Sequence, residues 1–188
     1  MNIILIGYRA SGKTTVGREL ARRLGRSFFD TDRMIFAKTG RTIPEIVETS
    51  GWQAFRDVEK TVIAELSGLD EVVIAVGGGA VMDPDNVAML WERGLFVWLR
   101  ADARVLALRM GKEKNGTVQR PSLTGAGTLA EIEEVLAKRL PVYGSVADVI
   151  VDTAGKDLAW IAAEIAGRLE EDPIDEERKL KRRRPHVR

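Results

Sequence analysis

The stretch Gly7-Tyr8-Arg9-Ala10-Ser11-Gly12-Lys13-Thr14 constrains this chain more than any other, because it fits G-x-x-x-x-G-K-[ST] in a telling setting. Before it runs Asn2-Ile3-Ile4-Leu5-Ile6, an apolar segment of strand length. After it, Val16, Leu20 and Leu24 recur four apart on one helical face, and Gly25 is placed to stop the helix. Strand, glycine-rich turn and helix are the context in which such a loop binds phosphate. Its glycines let backbone N–H groups turn around phosphate oxygens, and the helix N-terminus adds partial positive charge. Lys13 is placed to reach the β- and γ-phosphates, and the Thr14 hydroxyl to hold Mg²⁺. The pattern predicts a nucleoside triphosphate site.

The rest of the chain alternates strand and helix signals. Strands are expected at Ser27–Asp30, Val72–Val76, Leu95–Leu99 and Asp148–Asp152. Helices are expected from Thr31-Asp32 to Gly40, from the capping box Thr42–Glu45 to Gly51, and from Trp52 to Leu66. Others follow from Asp83-Pro84 to Gly94, from Asp102 to about Met110, from Thr128 to Arg139 with Pro141 as the stop, and around Leu158–Leu169. Such alternation predicts an α/β fold with a parallel sheet covered on both faces. Ligands then sit at the carboxyl ends of the strands, so Gly7–Thr14, Asp30–Asp32, Gly77–Gly79 and Arg100–Asp102 should share one crevice. Residues 111–127 hold four glycines without apolar periodicity and read as a long functional loop.

Composition excludes several classes. With no cysteine, disulfides and cysteine-ligated metals are ruled out. No apolar run reaches membrane-spanning length, and nothing resembles a signal peptide, so a cytoplasmic protein is expected. A net charge of +1 hides a basic tail: residues 178–188 carry seven basic side chains and no acid, leaving the body at −6. An acidic body does not present a nucleic-acid-binding face. Residues 171–188 follow the last apolar periodicity and are expected to be a charged tail that adds little to the core.

Within the expected crevice, Asp30 and Asp32 offer two carboxylates just past a strand. One suits a metal shell and the other an acceptor hydroxyl, although either could cap the following helix. Gly77, Gly78 and Gly79 directly after a buried strand suggest close approach of backbone to ligand. Arg56, Arg120 and Arg139 together suggest an anionic acceptor and a mobile phosphate clamp, while each alone reads as a surface arginine.

These motifs, with Gly51-Trp52-Gln53-Ala54-Phe55-Arg56-Asp57-Val58-Glu59, Gln119-Arg120-Pro121 and Lys138-Arg139-Leu140-Pro141-Val142-Tyr143, make the chain resemble shikimate kinase over about residues 2–170. The resemblance implies ATP- and Mg²⁺-dependent phosphorylation of the 3-hydroxyl of shikimate, in aromatic amino-acid biosynthesis. It also implies a nucleoside-monophosphate-kinase-like sheet of order 2-3-1-4-5, an acceptor-binding subdomain around residues 32–60 and a lid over 111–127; a monomer is expected. By position, Gly7, Ala10, Ser11, Gly12, Lys13, Thr14 and Thr15 would hold the nucleotide, with Arg109 over the adenine and Arg120 on the phosphates. Arg56 and Arg139 would grip the shikimate carboxylate, and Asp32, Gly77, Gly78 and Gly79 its hydroxyls. Asp30 and Thr14 would serve the metal, and Asp32, Lys13 and Arg120 the chemistry. The lid departs from the family's usual Arg-Pro-Leu-Leu, reading Arg120-Pro121-Ser122-Leu123, and is lengthened by Lys112-Glu113-Lys114.

Two other readings deserve weighing. A related small-molecule kinase, of gluconate or a nucleotide, would share the loop and lid but has less use for paired arginines beside a triple glycine. Asp152-Thr153-Ala154-Gly155 fits the D-x-x-G of GTPases, yet it follows the fifth strand and no Asn-Lys-x-Asp comes after it.

Overall fold

Asn2–Ile6 forms β1, five buried residues in a row, at the centre of a parallel sheet. The computed structural model describes residues 1–113 and 129–171. Successive strand side chains point to opposite faces, so β1 feeds two cores at once. Ile3 and Leu5 pack with Val16, Leu20, Ile161 and Ile165, whereas Ile4 and Ile6 pack with Phe55, Val62, Leu66 and Leu90. An unbroken apolar run is what two covered faces demand. Each buried isoleucine stabilises the fold by about 1.5–3 kcal/mol, so one strand anchors helices on both sides.

In chain order the elements are β1, α1 (Lys13–Leu24), β2 (Phe28–Asp30), α2 (Thr31–Thr39), α3 (Ile43–Ser67) and β3 (Val73–Ala75). A 3-10 turn (Ala80–Met82) follows, then α4 (Pro84–Trp91), β4 (Gly94–Arg100), α5 (Ala103–Glu113), α6 (Leu129–Val146), β5 (Val149–Asp152) and α7 (Leu158–Glu171). All strand pairs are parallel in the order β2-β3-β1-β4-β5, as expected. Because β1 lies between β3 and β4, the sheet grows first to one side and then to the other. The carboxyl end of β1 is therefore the switch point where a ligand crevice opens.

Local signals set most boundaries. Gly25 and Gly40 take left-handed conformations that end α1 and α2. The Thr42–Glu45 capping box forms in both directions. Gly51 (φ 83°, ψ 171°) breaks the long α3, which is thus two helical pieces, as its sequence suggested. No helix of the described residues is long and apolar enough to cross a membrane.

Three expectations are corrected. Helix α4 stops at Trp91, and Gly94 instead opens β4, where an added Cβ would strike the Leu90 carbonyl and the Ile4 side chain. Gly111, Lys112 and Glu113 extend α5 rather than begin the long loop, whose remainder lies outside the described residues. Most consequentially, α6 runs straight through Pro141 to Val146. An internal proline costs about 3 kcal/mol. Beyond it, Tyr143 and Val146 are buried in the larger core, and each such side chain returns about 1.5–3 kcal/mol. Packing outweighs the proline, and Arg139 sits inside a helix rather than at its end.

Candidate active site

The loop between β1 and α1 is shaped by three left-handed or near-left-handed residues: Gly7 (φ 136°), Ala10 (φ 60°) and Gly12 (φ 98°). At Gly7 an added Cβ would also stand 2.6 Å from the Leu99 carbonyl oxygen. Lys13 Nζ crosses the loop and donates to Gly7 O and Tyr8 O, each at 2.8 Å. Ser11 is buried, and its Oγ has no hydrogen-bond partner among the described residues. Thr15 Oγ1 donates back to Gly12 O at 3.1 Å, which tightens the first turn of α1. A ring of backbone amides at a helix N-terminus, closed by a lysine, is a receptor for polyphosphate.

Asp30 and Asp32 diverge at the end of β2. Asp30 caps α2, its Oδ1 accepting from Asp32 N at 3.0 Å, and its Oδ2 accepts from Thr14 Oγ1 at 2.7 Å. Asp30 thus faces the phosphate loop. Asp32, one residue into α2, turns toward the glycine segment: its Oδ1 is 3.5 Å from where a Gly77 Cβ would stand. Two residues of spacing put the carboxylates on two sides of the crevice.

The triple glycine is explained by what crowds it. A Cβ on Gly79 would lie 2.6 Å from Arg56 Nη2 and 3.3 Å from Arg139 Nη2. On Gly78 it would lie 3.4 Å from Arg139 Nη1 and 3.2 Å from Gly7 O. On Gly77 it would meet Glu59 Oε1 at 2.5 Å. Both arginines, Asp32 and the phosphate loop therefore converge on Gly77–Gly79. Aromatic faces hold the guanidiniums: Arg139 lies 5.5 Å from the Tyr8 ring centroid, and Arg56 4.9 Å from that of Phe55.

Sequence reasoning missed four contributors. Glu59, placed in the apolar stripe of α3, is a fully buried carboxylate paired with Arg56 Nη1. Burial pushes its carboxyl above the usual range, opposed by Arg56 and, less strongly, Arg139. The i,i+3 spacing from Arg56 was the available signal. Thr31 Oγ1 accepts from Gly77 N at 3.0 Å and ties the start of α2 to the glycine segment. Tyr8 supplies the ring under Arg139, and Tyr143 donates to Gly78 O.

At the far side, Arg109 on α5 donates to Thr153 O at 2.6 Å and Thr153 Oγ1 at 3.0 Å, and reaches Ala10 O at 3.4 Å. It borders the phosphate loop at Ala10. The D-x-x-G match is an ordinary turn, with Asp152 Oδ1 accepting from Ala154 N at 3.0 Å. Arg120 lies outside the described residues, as does most of the expected lid.

A phosphate loop on a 2-3-1-4-5 sheet defines a kinase of the nucleoside-monophosphate-kinase-like fold. A family model for shikimate kinase matches residues 9–170. A shikimate kinase of Syntrophus aciditrophicus is 42% identical over 177 residues, covering 90% of this chain and 91% of that one. Another, of Burkholderia thailandensis, is 45% identical over 153 residues, covering 81% of each chain. Among solved structures, shikimate kinase from Acinetobacter baumannii in complex with shikimate superposes with a TM-score of 0.85 at 36% identity, over 93% of this chain and 95% of that chain. The chain belongs to the shikimate kinase family.

Proposed function

We propose that this protein transfers the γ-phosphoryl group of ATP to the 3-hydroxyl of shikimate, acting as a monomer in the cytoplasm. The observation that carries this reading is the convergence of Asp32, Arg56 and Arg139 on Gly77–Gly79, beside the loop that receives the triphosphate. Two guanidiniums on aromatic supports, converging on Gly79, suit one carboxylate, since each offers paired donors. Asp32 receives the acceptor hydroxyl, and the backbone of Gly77–Gly79 receives the neighbouring ones.

Phosphoryl transfer needs positioning and charge stabilisation more than covalent participation by the protein. Lys13 swings from its loop carbonyls onto the phosphates. Asp32 holds the attacking hydroxyl in line and takes its proton as the new P–O bond forms. The Thr14 hydroxyl and Asp30 carboxylate are a hard-oxygen pair of the kind that suits Mg²⁺, which keeps most of its shell as water and phosphate oxygens. Bound there, Mg²⁺ supplies neutralising charge to the phosphates. Arg109 borders the base, and the family resemblance assigns Arg120 to the phosphates. The resemblance likewise supports an acceptor-binding subdomain at residues 32–60 and a lid in the segment that follows α5, whose closure would exclude water as a competing acceptor.

An acceptor panel tests the reading. With ATP and Mg²⁺, shikimate should stimulate ADP release far above gluconate or any nucleoside monophosphate. Stimulation by another acceptor and none by shikimate would refute the substrate assignment.

Glu59 gives a second expected result. Glu59→Gln keeps the volume but removes the charge that orients Arg56, so the shikimate KM should rise roughly tenfold, the value of a lost charge-assisted bond. The ATP KM should stay within twofold in steady-state assays; a matching rise there would deny Glu59 an acceptor-side role.

A further inference from the structure

Among the side chains that touch the glycine segment, Tyr143 has no place in the chemistry above, yet it hydrogen-bonds that segment directly. Its ring is buried in the core against Trp98, with centroids 5.7 Å apart. Its hydroxyl donates a short hydrogen bond to the Gly78 carbonyl oxygen. It reaches that position only because α6 continues past Pro141. Arg139 stands four residues earlier on the same helix, so one helical face presents both an arginine and a tyrosine to Gly78–Gly79.

The consequence follows from peptide geometry. The Gly78–Gly79 peptide is trans, as is every peptide here among the described residues. In a planar trans peptide the carbonyl of one residue and the N–H of the next point in opposite directions. With Gly78 O turned into the core toward Tyr143, the Gly79 N–H points the opposite way, away from Tyr143. Glycine allows this peptide to rotate more freely than any other residue would. The backbone bond from Ala80 N to Gly77 O closes the turn around this peptide, and the buried Tyr143 hydroxyl holds its carbonyl end.

We infer that Tyr143 is a positioning residue for acceptor binding: by fixing the Gly78 carbonyl it aims the Gly79 amide at a hydroxyl of the acceptor. The inference deepens the proposed function and rests on its assignment of the acceptor to the glycine segment. Tyr143 touches neither substrate nor nucleotide in this role. Its effect passes through one peptide plane to acceptor affinity, while the nucleotide loop, whose Gly7 O lies beside Gly78, keeps its own bonds to Lys13.

The test compares Tyr143→Phe with Val146→Ala, which loosens the same end of α6 without touching the hydroxyl. Tyr143→Phe should raise the shikimate KM about three- to tenfold, as expected for one buried hydrogen bond, with the ATP KM within twofold of wild type. Val146→Ala should lower the melting temperature by at least as much while leaving the shikimate KM unchanged. An unchanged shikimate KM in Tyr143→Phe overturns the inference, and so does an equal rise in Val146→Ala, because loose packing would then suffice. A readout on the wild-type protein stands beside these: the ¹H–¹⁵N resonance of Gly79 should shift on adding shikimate, and its indifference overturns the inference even if Tyr143→Phe does not fold. If wild-type protein fails to phosphorylate shikimate at all, the proposed function falls and takes the inference with it. A normal wild-type rate with an insensitive Tyr143→Phe sinks the inference alone.

Discussion

Asp32→Asn is expected to lower kcat by about 10²–10⁴, the usual range for losing a general base, and to weaken shikimate binding. The substitution keeps the size of the side chain and removes its charge. Nucleotide affinity should survive, because Lys13, Thr14 and Asp30 lie on the other side of the crevice. Asp30→Asn should behave oppositely. Asparagine caps helices as well as aspartate does, so α2 stays capped. The variant instead loses the carboxylate facing Thr14, and its Mg²⁺ requirement should rise with shikimate binding largely kept. Titrating Mg²⁺ and shikimate against both variants decides the matter. If Asp32→Asn moves only the Mg²⁺ curve, the two roles have been assigned the wrong way round.

The second large effect concerns the arginine pair. Arg139→Ala and Arg56→Ala should each raise the shikimate KM by roughly 10- to 150-fold, the equivalent of losing a charge-assisted bond worth about 1.5–3 kcal/mol. The two variants should differ in stability. Removing Arg56 strands the fully buried Glu59 carboxylate, so its melting temperature should fall. Arg139 rests on the face of Tyr8, and its loss leaves no such buried charge. Steady-state kinetics with each substrate varied, together with thermal melts, separates these effects. A raised ATP KM with a normal shikimate KM in both variants would remove the pair from the acceptor.

The fold was legible where its causes are local. The apolar run Asn2–Ile6 needed only two covered faces to become the central strand. Gly25, Gly40 and Gly51 ended or broke helices because few residues other than glycine accept their backbone angles. Thr42 with Glu45, and Asp83 with Pro84, marked helix starts through bonds made within a single turn. The phosphate loop was legible for the same reason, since strand, turn and helix are contiguous. Gly77–Gly79 announced a close approach, though not what approached.

What the chain alone determined, then, was everything set by neighbours within a turn or two: the alternation of elements, the parallel sheet and the nucleotide loop. Only the tertiary structure decided the rest. Pro141 should stop a helix by its own chemistry, and it fails to because Tyr143 and Val146 find a core built from distant segments. Asp30 and Asp32 are indistinguishable as letters; one faces Thr14 and the other faces Gly77 because the first turn of α2 separates them. Glu59 shares the apolar stripe of its helix with Phe55, Val62 and Leu66, and only the packing of that helix sets its carboxylate against Gly77 beside Arg56. Each of these outcomes depends on a contact between residues far apart in sequence, whose burial or charge energy exceeds the local preference it overrides.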